Sequence, residues 1–591
     1  MSQAIQPEVH RYAIRQQLEK ILAHGLFARS ERMGRFLRLA VERALEGRAD
    51  ELKEYLVGVE VFDRKPSYDP RVDPIVRVEA RRLRSKLKSY YEGDGRNDPV
   101  VIEFVAGSYA PRIRAAAPSE TSEPPSAATA TSPASVAVLP FVNLSPQPEN
   151  EYFSDGLTEE LIHALTKLPG MRVVAWTTAA RMRGRERDIL AIRRDLDVAN
   201  VLTGSVRIGE KSLRVRAQLI DTATGVYLWS ETFDRPREDI FAIQEEIARA
   251  IVRTLDMKLA AGREPAPAPR ARGSLSAYDW YLKGRYFWHR RTPGDMARSI
   301  ECFENALAAD SESALAYTGL ADAYSLMVDY GLLPPWESMP KAEAMARRAI
   351  ALDPELAEAH VSLAFIQGLH AWSWEESLTL YRRAIELNPG YATAHHWLGI
   401  DLFATLGRFD EARQEIEIAV QLDPLFNIIL ENAAYLHMLE RNYDAAIEAD
   451  RRILKTDPSF YKSYTSMGRI YSLAGDHAKA LEMLHKGREL AGDVPNILSA
   501  MGHVHGVAGD HESARAMLAE LTARAQHGYV PMTCFALVHL GLGEKDRALD
   551  CLEQACGRRD LPVVIIKVHP VYDALRGEPR FDALLKRIGL E

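Results

Sequence analysis

Apolar residues recur every three or four positions through most of the chain, and the stretches that alternate instead are short and bounded by glycine or proline. Over 31–45, Met33, Phe36, Leu37, Ala40, Val41 and Ala44 share one face, predicting a helix that Gly47 ends. Residues 52–62 predict a shorter second helix, after which Pro66, Pro70 and Pro74 interrupt the pattern; Asp73 is placed to cap a third helix with Pro74 at its first position. In that third helix Val76, Ala80, Leu83, Leu87 and Tyr90 form the apolar stripe. Arg77, Arg81, Arg84 and Lys88 follow one residue later at the same spacing and so line the adjacent face. Residues 99–104 and 109–113 read as strands turned at Gly107 and Ser108, a small hairpin. Ahead of all this, Ile14, Leu18, Ile21 and Leu22 give residues 1–30 a helical stripe.

The pattern changes twice. Residues 115–134 are rich in Ala, Pro, Ser and Thr, and 260–273 hold Pro265, Pro267 and Pro269; neither can bury enough apolar surface to offset its ordering entropy, so both read as linkers. Between them, strands at 136–139 and 173–176 and helices at 155–168 and 188–196 precede an antiparallel meander at 198–208, 213–221 and 226–233, turned at Gly209 and Gly225, and a helix at 240–259.

From 274 onward helical periodicity is continuous and repeats itself. Gly407, Arg441, Gly475, Gly509 and Gly543 stand 34 residues apart, each followed five residues later by Ala412, Ala446, Ala480, Ala514 and Ala548; helix-ending prolines recur at 354, 389, 424 and 458. The physical reading is a pair of antiparallel helices per repeat, with a turn residue between them, a small alanine for close packing and a proline to stop the second helix. This spacing is that of the tetratricopeptide repeat, and about eight such repeats fit after Leu275, with residues 572–590 as a cap.

Charge separates the first segment from the rest. Residues 1–115 hold 22 Lys+Arg against 17 Asp+Glu, a surplus of five, while the whole chain carries −8. A basic first segment can approach a polyanion while the acidic remainder stays in solution. The four cysteines form no Cys-x-x-Cys pair, and no apolar stretch has the length of a leader or a membrane span, so a reducing, cytoplasmic setting without membrane contact is expected. No phosphate-cradling P-loop, His-Glu-x-x-His or Gly-x-Ser-x-Gly is present, and no segment is left over for a cyclase domain, so neither enzyme activity nor a cofactor or metal is expected.

Two further resemblances rest on particular residues. Leu83, Arg84, Lys86 and Leu87, followed by Gly107, Ser108 and Tyr109, resemble the recognition-helix end and wing of the OmpR-type winged helix, although the four-stranded sheet that opens that family's domain has no counterpart here. That resemblance implies that Arg77, Arg81, Arg84 and Lys88 contact double-stranded DNA, with Arg112 or Arg114 on the wing. The runs 137–141, 153–157 and 202–206 resemble the TolB amino-terminal and FlgO-like domain, which implies an α/β fold and no particular reaction. The expected architecture is thus multidomain: an α-helical, winged-helix-like domain at 1–114, an α/β middle domain at 135–259 and an all-α tetratricopeptide solenoid at 274–591. Its expected function is transcriptional regulation, with DNA on the first domain and a protein or peptide in the repeat groove, where Tyr317, His395, His396, Tyr464 and His505 fall. Self-association is a further expected partnership, and a protein-interaction scaffold that never touches DNA is the competing reading.

Overall fold

The computed structural model describes residues 11–255 and 274–591, except 25–26, 28–29, 47, 63, 66–67, 69–72, 74, 93–94, 96–97, 99, 105–107, 116–133, 169, 186–187, 210 and 237–238. Both expected linkers therefore lie almost wholly outside the described residues, as do Gly47, Gly107 and the three prolines before the third helix. The chain divides into two compact units, 1–129 and 130–591.

The first unit is built on helices α1 (Arg11–Ala23), α2 (Glu31–Leu45), α3 (Glu54–Glu60) and α4 (Ile75–Glu92), followed by strands β1 (Val100–Phe104) and β2 (Pro111–Ala115). The predicted stripes form one core: Ile14, Leu18 and Ile21 of α1, Phe36, Leu37, Ala40 and Val41 of α2, and Val76, Leu83, Leu87 and Tyr90 of α4 are all buried with Ile102 and Ile113 of the hairpin. Asp73 does cap α4, its Oδ1 accepting the Ile75 N–H at 3.1 Å. The return strand starts two residues later than expected, at Pro111, because antiparallel pairing sets Phe104 against Pro111 and Ile102 against Ile113. A buried carboxylate ties the ends of the unit together: Asp98 accepts from Gln17 Nε2 (2.5 Å), Lys20 Nζ (2.5 Å) and Tyr90 Oη (2.6 Å). Burial alone would raise the Asp98 pKa, but these three donors hold it below the ordinary value.

The second unit opens with a mixed sheet. Strands β3 (Ala134–Val138), β4 (Val142–Asn143), β5 (Met171–Val173), β6 (Asn200–Ile208), β7 (Ser212–Asp221) and β8 (Tyr227–Pro236) run in the order β5-β3-β6-β7-β8, with β4 also on β6. β3 lies parallel to both β5 and β6, and β6 to β8 form the expected antiparallel meander. One face packs on α5 (Glu151–Thr166) through Phe153, Leu157 and Leu161, and on α8 (Ile240–Thr254) through Ile243, Ile247 and Ile251. The other buries Ala137, Leu139 and Val201 against Ile192 and Leu196 of α7 (Ile189–Leu196). The strand expected to reach Trp176 stops at Val173, and Trp176 begins a short helix, α6 (Trp176–Ala180). The reason is a partner far along the chain: the Ala175 N–H donates to the Leu422 carbonyl, and Asp423 caps α6 by accepting from Thr177 Oγ1 and, at 3.0 Å, from the Thr178 N–H.

Eight helix pairs follow: Leu275–Arg290 with Pro293–Ala309, Ala314–Asp329 with Pro335–Leu352, Ala357–Ile366 with Trp374–Leu387, Ala392–Trp397 with Phe409–Leu422, Asn427–Leu439 with Tyr443–Thr456, Tyr461–Leu473 with His477–Ala491, Pro495–Val507 with His511–Ala525, and Met532–Gly541 with Lys545–Arg558. All five positions of the 34-residue register have left-handed backbone, with φ of 80°, 62°, 84°, 85° and 73°. Arg441 is the only non-glycine among them. The five alanines after them are completely buried, so the second helix of each pair packs as closely as the spacing demands. In pairs 3 and 4 the first helix continues through a turn of π-helix, at Gln367–Ala371 and Leu398–Ala404.

The end of the chain does more than cap the last pair. Residues 559–591 run back to pairs 3 to 5. Arg559 donates to the His370 carbonyl (3.1 Å) and stacks on Trp372 at 3.6 Å, Trp374 Nε1 donates to the Ile588 carbonyl (2.9 Å), and Arg441 holds Asp573 at 2.8 Å. The solenoid is thereby closed on its own middle.

Candidate functional site

On α4 the core stripe fixes what faces outward. At about 100° per residue, the positions opposite the stripe include Val78, Arg81 and Ser85, and all three are exposed. Arg82 is exposed beside them, Arg84 is half-buried at the edge, and Arg77 is exposed on the side nearer the core. Arg77 is tied to the protein itself, its Nε donating to Glu54 Oε1 of α3 at 2.8 Å. Arg82 lies 2.7 Å from Glu79 one turn away, whereas among the described residues neither Arg81 nor Arg84 has an ion pair. Arg112 is exposed on β2 opposite Glu103, and β1 packs on α4. Lys88 belongs to α4, but its side chain, like that of Arg114, lies outside what is described. The outward cations are therefore Arg81, Arg82 and Arg84, with Arg77 partly engaged. Spacing alone missed Arg82 because it followed one flank of the stripe, whereas Arg82 lies on the other side of the exposed face.

The residues expected to line the repeat groove do not share one wall. Tyr317 packs with Leu315, Leu356 and Ala359 between consecutive pairs. His395 bridges its own pair, Nδ1 lying 2.6 Å from Glu415 Oε2 and Nε2 3.1 Å from the Pro389 carbonyl. His396 is buried against Asn432 at 2.7 Å, and burial pushes its pKa down to about 3. His505 meets Asp510 at the turn of its own pair, 3.0 Å away, and Tyr464 is half-buried on its helix. Helical spacing put these groups on first helices, but four of the five are engaged within or between pairs.

A charged junction between the sheet region and the solenoid carries no signal in the residue pattern. Glu159 of α5 accepts from Arg285 of pair 1 (Nη2, 2.5 Å; Nε, 3.1 Å) and lies 3.1 Å from His289 Nε2. Burial opposes its ionisation, yet Arg285 and His289 hold the Glu159 carboxyl well below the usual carboxylate range. A turn further along α5, His163 Nδ1 sits 2.5 Å from Glu358 Oε1 of pair 3; burial again opposes, and the imidazole brings Glu358 down to about 2. Asp322 of pair 2, 3.8 Å from Arg285 Nη1, accepts from Ser362 Oγ at 2.5 Å and is pushed up to about 6 by burial. Together with Asp423 on α6, these contacts make the sheet region and the repeats one body. A cavity of about 140 Å³ opens among them. Among the described residues no group of three or more His, Cys, Asp or Glu is placed to hold a metal ion, and no helix is long and apolar enough to cross a membrane.

With that geometry in hand, comparison with known proteins divides along the chain. Residues 132–250 match the family model of the HilA/YgeH-like transcriptional regulator, second domain, which covers the region whose runs resemble the TolB and FlgO-like domain. Tetratricopeptide-repeat models match 399–459 and 495–520. The middle of the chain is a regulator-like domain, and the C-terminal part is a tetratricopeptide solenoid. A Rhizobium meliloti (strain 1021) protein named "Putative adenylate cyclase 3" is 32% identical over 314 residues, 52% of this chain and 46% of that protein. Transcriptional regulator HilA of Salmonella typhimurium is 28% identical over 144 residues, 24% of this chain and 26% of HilA. This chain thus spans less than half the length of either relative. A solved tetratricopeptide repeat protein from Parabacteroides merdae superposes along its whole length on 46% of this chain, at 17% identity and a TM-score of 0.34.

Proposed function

We propose that the chain is a transcriptional regulator that contacts double-stranded DNA through the outward face of α4 and a protein partner through its repeats, without catalysing a reaction itself. The observation that carries this reading is the exposed pair Arg81 and Arg82, with Arg84 half-buried at the edge, on a helix whose opposite side is fully buried. The β1–β2 hairpin packs alongside, as a wing would, so the face is presented by a braced element rather than a loose one. Such a rod fits a major groove, with phosphate contacts supplying affinity and arginine-to-guanine contacts supplying sequence preference. The match of residues 132–250 to a HilA/YgeH-like regulator domain supports the same class of function, and tetratricopeptide repeats support a protein partner.

The test is a gel-shift and salt titration of the full chain against the triple variant Arg81→Ala/Arg82→Ala/Arg84→Ala, using genomic fragments selected by the wild type. Losing three cations should weaken binding on the order of 100-fold and flatten the slope of log affinity against log salt by about 2 to 3. Thermal unfolding should be unchanged, because all three side chains lie outside the core. An unaltered affinity and salt slope would leave the protein-interaction scaffold as the reading, and the Arg77–Glu54 pair, which already engages one of the four predicted cations, is the observation that favours it.

A further inference from the structure

The cavity at the junction lies between α5 and α6 on one side and the first helices of pairs 1 to 4 on the other, and its charges are unevenly compensated. Glu159 has Arg285 and His289, Glu358 has His163, and Asp423 has the Thr177 hydroxyl and the Thr178 N–H. Arg291 has none of these. It follows the last residue of the pair 1 helix in left-handed backbone (φ 57°), its guanidinium stacks 3.6 Å from the centre of the Trp288 ring, and among the described residues no carboxylate lies within ion-pair distance. Arg291 is half-buried, and burial pushes its pKa below the ordinary arginine value although Asp322 pulls the other way from beyond ion-pair distance. The apolar part of the lining is ring and branched-chain carbon from Ile162, Trp176, Tyr281, Trp288, Leu315 and Phe426.

We propose that this cavity binds a small organic acid, its carboxylate on the Arg291 guanidinium and its apolar body among the aromatic walls. Three observations select that chemistry. The volume, about 140 Å³, is close to the roughly 150 Å³ of an engineered cavity that holds benzene, so the ligand has about six to ten heavy atoms. Arginine is charged at any physiological pH and presents paired donors that match a carboxylate. Glu160, also on the lining, has its pKa raised by burial, which disfavours its charged form and so weakens the pull of the site on an amine. Because the walls come from the regulator-like domain and from the solenoid at once, occupancy favours the docked arrangement of the two, which is the linkage an effector needs. The inference goes beyond the proposed function and stands whether or not the chain binds DNA.

The experiment is calorimetric titration of the full chain with benzoate, with benzylamine and inorganic phosphate as separate arms, and with fluorescence of Trp176 and Trp288 as a second readout. Benzoate should bind saturably at one site per chain. Arg291→Asn, which keeps a residue tolerant of left-handed backbone, should weaken it at least tenfold, while Arg291→Lys retains part of the affinity. Should Arg291→Asn lower the unfolding midpoint, Thr318→Leu, which fills the cavity without touching a charge, takes its place and should block benzoate as completely. Absence of saturable benzoate binding, equal binding by the variants, or preference for benzylamine or phosphate would each overturn the proposal.

Discussion

The protein holds charge in two opposite ways. On α4, arginines stand on the outside of a small helical unit, and two of them have no ion pair among the described residues. At the inner junction of the solenoid, Glu159, Arg285, His289, His163 and Glu358 are half-buried and matched to one another across segments that are far apart in the chain. The difference separates two uses of the same side chains. Charge left without a partner in water costs little and remains available to a polyanion. Charge taken out of water is retained only where partners are fixed around it, so it holds domains together and is not free to bind.

The largest expected effect comes from breaking compensation inside. Arg285→Ala leaves Glu159 with His289 alone and removes a stack 4.4 Å from the Trp288 ring. Removing one partner of a buried pair typically costs about 3–5 kcal/mol, and chemical denaturation should read a loss of that order together with earlier protease cleavage between the sheet region and the repeats. A loss below about 1 kcal/mol would mean that the junction is as solvated as the outer helix, and the comparison would collapse.

Asp450 sharpens the comparison from the other side, as a buried carboxyl in the solenoid that no cation meets. It is fully buried on the second helix of pair 5, burial pushes its pKa up to about 8 with Glu431 adding to the rise, and the Ser463 and Ser466 hydroxyls temper that rise without forming hydrogen bonds to it. A raised folded-state pKa means that the fold favours the protonated acid. Its stabilising share is complete below the unfolded value, near 4, and is lost as pH climbs towards 8. Asp450→Asn keeps a neutral side chain throughout. The variant should match the wild type at pH 4 and exceed it by pH 8, by at most about 5 kcal/mol at about 1.4 kcal/mol per pKa unit. Equal pH profiles for the two proteins in urea unfolding would contradict this.

How much of this could be read from residues alone follows from sequence distance. The 34-residue register was fully legible, since each turn residue and each alanine acts within its own pair. Even the exception makes local sense: Arg441 adopts the left-handed turn that glycine adopts elsewhere, and its guanidinium is held by both oxygens of Asp573 at 3.0 and 2.8 Å. The α4 stripe was legible for the same reason. Trp176 was misread as strand because its helix is capped by Asp423, 246 positions further along in the Thr177 contact. Glu159, Arg285 and Arg291 were passed over because mixed charge on a helix is ordinarily solvated, and nothing in a one-dimensional pattern marks which helices will face each other. The closing of residues 559–591 onto pairs 3 to 5 was hidden similarly: a cap was expected, but a terminal segment that returns to the middle carries no periodic signal.

The smallest effect tests the boundary between the two uses. Arg77 sits on the outer helix yet is compensated, with Glu54 as its partner and Tyr109 beside that carboxylate; burial first, and then Glu54, push the Tyr109 pKa up to about 12. Glu54→Gln keeps a side chain of the same shape and removes the negative charge, so Arg77 loses the Glu54 carboxylate as its counter-charge. If outward arginines act by meeting phosphates, the change should tighten DNA binding on the order of two- to fivefold and steepen the salt slope by up to about 1, while an exposed ion pair of this kind should contribute less than about 1 kcal/mol to stability. Weaker binding would instead show that Arg77 needs Glu54 to be held in place, making it a positioning residue for the neighbouring arginines rather than a fourth contact.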